Sequence, residues 1–410
     1  MKIWFKMCIG AVIGLVCGLY LPASFGSSSG FLEFLSGLAV RVGRYAVLPL
    51  VLFSLIVSVY ELCLERRLFR VYLRVIFYAA LTSLGVITFG VLCALFFMPG
   101  RVSISIENQV ALAAPRAGEL LLRVFPQNLF TVFTDSGDFL LPLAVFAVFF
   151  GLCLTYDRRI FRPLVEIAGS LSLLFYRMSS FITEFLFIGC AVLSAFLVLE
   201  LRKVTDLGQF AGPFLVCALF SLAASFVVFP LILYFLKGKK KPLRWMYAQL
   251  APALGAFLSG DVYFSLGLLV RHGKEVLGVP WKVSAVASPF LAVFFRGGSA
   301  MVSAVSFVVV LRAYSSLEIG FLQVLWIIAQ SFGISLLLGA VPGAGSLVGL
   351  AALSALYGKG MEEAFLIIRP VSVMLVGIGA FLDIVSASFV TCLAADAMKF
   401  SEDEGRREFI

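Results

Sequence analysis

The sequence predicts an all-α polytopic membrane protein, and three observations predict it. Sixty-one per cent of its 410 residues are hydrophobic and 13% are charged, with a mean hydropathy of +1.06. A soluble domain of that length could not cover such a core with so little polar surface. Apolar stretches of about 20 residues, long enough to cross the hydrocarbon layer as helices, recur along the whole chain. Basic residues gather between those stretches: Arg66, Arg67, Arg70 and Arg74; Arg158, Arg159 and Arg162; Lys237, Lys239, Lys240, Lys241 and Arg244. The loop Pro22–Leu38 carries none. That alternation is the positive-inside bias of spans crossing in turn. The net charge of +9 therefore reads as membrane topology, and nucleic acid is excluded as a partner.

The first span is Lys2–Leu21. Its basic start and apolar middle mimic a secretory signal, but the apolar run continues from Met7 to Leu21 and more spans follow. An uncleaved span with its N-terminus inside is favoured, with cleavage as the alternative. Val40–Leu62, Tyr72–Met98, Phe139–Tyr156, Leu164–Leu199 and Phe210–Leu236 follow. The fifth is too long for one perpendicular helix, so it tilts, kinks or projects. Arg101–Asp138, mixed polar with Pro115 and Pro126, reads as an outside-facing excursion with short helices. The tail SEDEGRRE reads as a solvated cytoplasmic end.

After Lys241 the pattern changes. Leu250–Leu269 is interrupted by Ser259, Gly260 and Asp261; Ala285–Leu311 by Arg296, Gly297 and Gly298; Leu325–Leu356 by AVPGAGS at Ala340–Ser346. Val371–Asp396 carries Asp383 near its middle. Backbone freed from helical hydrogen bonding survives at membrane depth only where protein or a water-filled cavity satisfies it. Such breaks point to a transporter's binding site. Two of them read as re-entrant hairpins, with tips at Ser259–Asp261 and Val341–Gly345, each followed by a span. Hairpin then span, twice, makes eight transmembrane spans plus two hairpins and suggests an inverted repeat.

Arg296 costs about 2.5–3.5 kcal/mol at the centre of a membrane helix on insertion scales. Snorkelling to the membrane face fits poorly with apolar runs on both sides, and the opposite charge that would keep it ionised is Asp383. Asp383 is read either as half of a structural ion pair or as a ligand-binding group as well. Asp261 reads as a solvated acid at a hairpin tip, and His272, beside Arg271 and Lys274, as a solvated polar residue. The eight cysteines are scattered without a CxxC pair, and the single histidine cannot build a zinc site. No HExxH motif or catalytic dyad supports an enzyme, and no cofactor is expected.

Four further stretches, in order, carry a resemblance. RYAVLPLVLFSLIVSVYEL is similar to a KMLVMPLVFFSLIVGI-type helix, and FPQNLFTVFTDSGDFLLPLAVFAVFFGLCL to an IPxNPF…LPVIFFAIxxGI element. AVPGAG at Ala340–Gly345 matches GVPGAG, and GIGAFLD at Gly377–Asp383 is similar to GIDxxLD. Over nearly its whole length the chain resembles the dicarboxylate/amino acid:cation symporters, which include glutamate and aspartate transporters. The resemblance implies a homotrimer with a fixed scaffold (about 1–70 and 139–206) and an elevator-like transport unit (about 71–98 and 207–400). It implies a gate in the second hairpin at Pro342, Gly343 and Gly345. It places the substrate among Asp383, Arg296, Ser299, Val341, Gly345, Ser386 and Val262, between the hairpin tips and the last two spans, which are read as broken.

The departures fall on the family's chemistry. Its NMDGT signature lies on Phe295–Ser299, FRGGS, so the asparagine becomes Phe295, the methionine Arg296 and the sodium-binding aspartate Gly297. The amine-binding aspartate is Asp383, but the arginine for a side-chain carboxylate falls on Ser386, the asparagine on Val390 and the last sodium aspartate on Ala394. Asp396, 13 residues from Asp383, lies roughly 140° round the helix from it. Sodium needs oxygens, which Phe, Gly, Val and Ala side chains lack, and a fixed guanidinium at Arg296 stands in for a bound cation. The expected function is secondary symport of a small anionic or zwitterionic solute across the cell (inner) membrane, both termini cytoplasmic. By family the solute is an acidic amino acid such as glutamate or aspartate, or a dicarboxylate, with a proton or sodium as coupling ion. The alternative is a non-transporting membrane protein that keeps the fold as a binding or structural component.

Overall fold

The computed structural model describes residues 2–21, 30–97, 122–135, 137, 139–204, 207–237, 242–314, 319–358, 360–361 and 363–397. Every regular element among them is helical. The first span is α1, Ile3–Tyr20; the second is α2, Phe31–Arg44, and α3, Val47–Leu64; the third is α4, Leu68–Phe97. After the short α5, Thr131–Asp135, come the fourth span α6, Leu141–Cys153, and the fifth, α7, Arg158–Arg202. The sixth is α8, Leu207–Ala223, joined through a π-turn at Ala224–Val228 to α9, Phe229–Lys237. The first hairpin is α10, Pro242–Ser259, and α11, Val262–Glu275; the seventh span is α12, Trp281–Val293, and α13, Gly297–Tyr314. The second hairpin is α14, Phe321–Ser335, a 3₁₀ turn at Leu338–Ala340, and α15, Gly345–Tyr357. A 3₁₀ stretch, Ala364–Val371, leads into the last span, α16, Ser372–Ala397.

Seven helical stretches of the described residues are long and apolar enough to cross a membrane. The fourth span is the short one: its 13 residues reach about 20 Å. The fifth is one uninterrupted helix despite Pro163; its 45 residues amount to about 68 Å of helix, longer than a bilayer is thick. Asp157 starts it, its Oδ1 accepting from the backbone N–H of Arg159 at 3.0 Å and of Ile160 at 3.2 Å, which satisfies two orphan donors of the first turn.

Two readings of the chain are corrected, and two others fall mostly or wholly outside the described residues. Phe31–Leu38, read as loop, is the start of α2. The last span, read as broken, is one continuous helix of 26 residues, because a single acid can be carried on an intact helix when its partners come from elsewhere. Most of Arg101–Asp138, and the SEDEGRRE tail, lie outside the described residues.

The molecule is enclosed at the seventh span and peripheral at the first. In Trp281–Ala313 89% of the most apolar window is buried, against 28% in Ile3–Tyr20. Around α13 lie α4, α14, α15 and α16, while α12 touches α3 and α16. The peripheral α1 is held to α7 by small residues. Gly10, Gly14 and Gly18 form one stripe at four-residue spacing, the small-residue pattern that lets membrane helices approach closely. A Cβ on Gly14 would stand 1.9 Å from Ala191 O and 2.0 Å from Ser194 Oγ. Ser194 Oγ donates to Ala11 O at 3.0 Å, and Arg202 Nη1 donates to Leu21 O at 2.8 Å at the end of α1.

Gly14→Leu should therefore force α1 off α7. The expected result is a loss of about 1–3 kcal/mol or more by overpacking, read as a lowered melting temperature in detergent. An unchanged melting curve would contradict this packing.

Candidate transport site

The site is made where the seventh span stops being a helix. The carbonyl of Phe290 ends α12 by accepting from Phe294 N–H at 2.8 Å, and Phe294 is extended. Phe295 then takes φ 58°, a left-handed conformation that costs a bulky residue about 1–3 kcal/mol and persists only where surroundings over-determine it. Those surroundings are present. Arg296 N–H donates across to Ser335 O at 3.1 Å, and Gly297 N–H turns back to Phe295 O at 2.8 Å. Ser83 Oγ of α4 donates to the same Phe295 carbonyl at 3.2 Å. The unwound backbone is satisfied by protein, as the interior of a membrane requires.

Arg296 emerges from this break with 1% of its surface exposed. Its Nε donates to Asp383 Oδ2 at 3.1 Å. Nη1 donates to Leu338 O at 2.9 Å and Val341 O at 3.0 Å; Nη2 donates to Ser299 Oγ and to Pro342 O, each at 3.3 Å. A guanidinium has five N–H donors, and these five contacts occupy all of them. Three of the acceptors are carbonyls of the second hairpin tip: Leu338 O, which also accepts from Val341 N–H at 3.1 Å in the 3₁₀ turn, and Val341 O and Pro342 O just beyond it. The same oxygens, three carbonyls with a carboxylate and a hydroxyl, make a set that suits a hard cation. Here the cation is part of the chain.

Asp383 is equally engaged. Its Oδ1 accepts from the backbone N–H of Gly298 at 2.7 Å and of Ser299 at 3.0 Å; its Oδ2 accepts from Ser299 Oγ at 2.5 Å as well as from Arg296. The carboxylate thus sits on the N-terminus of α13, where free N–H groups and the helix dipole favour negative charge. The approach is close because side chains are missing. A Cβ on Gly298 would lie 2.7 Å from Asp383 N and Gly379 O. Gly297, where the resemblance puts a sodium-binding aspartate, faces α4: a Cβ there would lie 2.7 Å from Ser83 Oγ and 2.8 Å from Ser83 Cα.

The remaining predicted site residues divide. Arg296, Asp383, Ser299 and Val341 meet directly. A Cβ on Gly345 would lie 3.1 Å from both terminal guanidinium nitrogens and 3.0 Å from Ser299 Oγ, so a side chain here would press on a guanidinium whose donors are all engaged. Gly343 is different: its φ is outside the left-handed region, and a Cβ there would have Arg44 Nη2 as its nearest neighbour, at 3.8 Å. Ser386 Oγ donates to Asp383 O at 2.9 Å. With Thr82, Ser83, Phe295, Val390 and Asp383 it lines a cavity of about 10 Å³, room for one water. Val262 is buried at the first hairpin tip, and the hydroxyl of its neighbour Tyr263 donates to Gly339 O of the second hairpin at 2.9 Å. Asp396 is exposed.

Two acid–base readings change. Asp261 is fully buried, not solvated, because Arg44 of α2 ion-pairs with it and its Oδ1 caps α11 by accepting from Tyr263 N–H at 2.9 Å. His272 is also buried, its Nδ1 2.9 Å from Leu268 O. Sequence reasoning passed over Arg44 and Tyr263. The available signal was Arg44 itself, a charge inside the expected second span.

The sequence profile of the Sodium:dicarboxylate symporter family matches residues 3–397. The chain is 25% identical over 381 residues to the human (Homo sapiens) neutral amino acid transporter B(0), covering 83% of this chain and 70% of that protein. It is 24% identical over 302 residues to the C4-dicarboxylate transport protein of Deinococcus radiodurans (68% and 65% covered), and 23% identical over 374 residues to that of Anaeromyxobacter sp. (strain K), with 86% and 80% covered. With a buried ion pair at a broken span, two hairpins and a profile match over almost all its length, this integral membrane protein belongs to the Sodium:dicarboxylate symporter family of secondary transporters, and it is not an enzyme.

Proposed function

We propose that the chain carries a small zwitterionic amino acid by elevator alternating access, without sodium at the second hairpin. The observation that carries this reading is the saturation of Arg296. Its guanidinium holds the oxygens that a coupling cation would otherwise bind, so closing the hairpin needs no ion from solution. Charge balance supports the substrate class. Arg296 and Asp383 cancel, and Ser386 stands where the resemblance implies an arginine for a second carboxylate. That favours an amino acid with a neutral side chain over glutamate or aspartate. The names of the relatives agree with both amino acids and C4-dicarboxylates, and a dicarboxylate is the second reading. The substrate carboxylate competes for the guanidinium and its amine for Asp383, which loosens the tip and opens the gate. A proton, or exchange alone, then replaces sodium as the partner of transport. The homotrimer and the division into scaffold and transport unit belong to the same proposal.

Uptake into proteoliposomes of neutral and acidic amino acids and C4-dicarboxylates, across a sodium titration at fixed ionic strength, tests it. Wild-type uptake should be flat in sodium. Arg296→Met should abolish it, because an unpartnered buried charge costs about 3–5 kcal/mol. Steep sodium dependence in the wild type, with Arg296→Met unaffected, would remove the surrogate-cation reading. No uptake of any solute would favour the non-transporting alternative.

The gate is tested by a pair of glycines. Gly345→Val should leave expression intact but lower transport by about tenfold or more, the equivalent of about 1.4 kcal/mol, because its side chain meets Arg296 and Ser299. Gly343→Ala should be silent. Equal effects of the two substitutions would refute the spatial argument.

Native mass in mild detergent should give three copies of the chain. A monomer or dimer would count against the trimer.

A further inference from the structure

Three buried polar groups without a partner meet at one cavity, on the far side of the last span from the ion pair. The cavity measures about 330 Å³ and lies between α1 at Cys8, α8 at Phe214, α10 at Leu250 and Phe257, and α16 at Phe381 and Val385. Phe381 and Val385 each stand two residues from Asp383, roughly 200° round the helix, so this wall of α16 is not the one that meets Arg296. Ser221 and Ser225 of the sixth span and Gln249 of the first hairpin also line the cavity. They have 2%, 3% and 4% of their surfaces exposed. A serine in a membrane helix often returns its hydroxyl to the carbonyl four residues back. Ser259 does so to Gly255 O at 2.7 Å, and Ser303 to Ser299 O at 2.9 Å. Ser221 Oγ and Ser225 Oγ make no hydrogen bond among the described residues, and Gln249, whose Nε2 donates to Ser388 Oγ, leaves its Oε1 unpaired. Ser225 also falls within the π-turn Ala224–Val228, a distortion frequent at functional sites.

We infer that this cavity binds an uncharged amphiphile with a free hydroxyl, its apolar body among the aromatic and aliphatic side chains and its hydroxyl among Ser221, Ser225 and Gln249. The site stands whether or not the chain transports a solute, because it uses none of the residues around Arg296. Polar groups at membrane depth need partners, and the requirement here is specific. An alcohol donates and accepts, so it serves the Gln249 carbonyl and a serine hydroxyl at once. A ketone or an ether only accepts and leaves Oε1 unmet. A carboxylate, phosphate or ammonium would be buried without a counter-charge, since no lining residue is charged. The three oxygens are recessed in the wall, and a ligand that fills the cavity turns them inward by a change of rotamer. The volume is about twice that of a cavity that takes up benzene and falls in the range of small-molecule pockets. The outer walls face the bilayer: the first and sixth spans are only 28% and 33% buried in their most apolar windows, and Leu222 on the wall is 47% exposed. A membrane lipid and a dissolved hydrophobe can both carry this chemistry.

The test uses the full-length protein in lipid nanodiscs and a dodecanol with a photoreactive diazirine in its chain, the labelled peptides being located by mass spectrometry. Labelling should fall on residues 214–226 and 246–257. 1-Dodecanol should displace it at concentrations about tenfold lower than its methyl ether, which keeps the acceptor and has lost the donor. Gln249→Met removes the acceptor that needs a donor, so alcohol and ether should then compete equally. Ser221→Ala with Ser225→Ala should weaken both competitors by several-fold and leave the fold intact, since neither hydroxyl has a partner to lose. Ala218→Phe, which fills the cavity, should abolish labelling. Equal competition by alcohol and ether in the wild type would make the cavity a resting place for any acyl chain and overturn the proposal. Labelling spread over the lipid-facing surface, or none that dodecanol displaces, would overturn it as well. Lipid extracted from the purified protein identifies the source. A neutral lipid with a free hydroxyl that co-purifies with the wild type and is depleted in Ala218→Phe is a membrane constituent; displaceable labelling without such a lipid points to a dissolved solute.

Discussion

A guanidinium that is buried in a membrane protein has to be solvated by the protein, and the broken seventh span, the second hairpin and the last span meet around Arg296 to do so. Leaving such a charge unpaired is far more expensive than the strain needed to pair it. The seventh span gives up its helical ladder between α12 and α13, Phe295 accepts a left-handed backbone, and the second hairpin brings three carbonyls to the guanidinium. Asp383 supplies the counter-charge from a helix that never breaks. Its second oxygen caps α13, so the same carboxylate closes the electrostatics of the arginine and the loose helix end that the break created.

Close approach of backbones makes these contacts possible. Without water as a driving force between helices, packing and hydrogen bonds must hold the spans together, and small residues set the distances. Gly298 lets α13 meet α16, Gly345 lets α15 reach the guanidinium, and the Gly10–Gly14–Gly18 stripe seats α1 on α7. The large side chains go outward: Phe77, Phe89 and Phe96 on α4 are all well exposed on the surface of the chain. The heavy use of phenylalanine is thus compatible with a tight, glycine- and serine-rich interior.

Charge also marks the seams between the peripheral spans and the hairpin core. Arg44 meets Asp261, Lys282 meets Glu65 at 2.7 Å, and Glu184 is shared by Lys6 at 2.6 Å and Arg271 at 2.9 Å. Each pair joins an element of the first five spans to the first hairpin, to the seventh span or to another peripheral span. Pairs of this kind give one relative position of two bodies a definite electrostatic identity, where apolar surfaces alone would slide freely. Under the elevator movement proposed above, that identity would bias which positions of the transport unit are populated.

The sequence alone determined the class of protein, most of its spans and both hairpins, because those properties follow from local composition: apolar runs of bilayer length, basic residues between them, and Gly, Pro or charge interrupting a run. It also singled out Arg296 and Asp383, since a charge at membrane depth is rare enough to stand out singly and has to find its opposite. The tertiary structure decided how those charges are used. Which carbonyls surround Arg296 depends on where the second hairpin ends its helix, and no local pattern gives the direction of a carbonyl. The same holds for Asp261. Its tip position suggested water, and only the approach of α2, far away in sequence, buried it against Arg44. Gly343 and Gly345 look alike in AVPGAG, yet one faces open contact and the other a guanidinium, a difference set by the packing of α13 against α15. Composition and periodicity are properties of one segment; the partner of a buried polar group is a property of two, and folding alone brings them together.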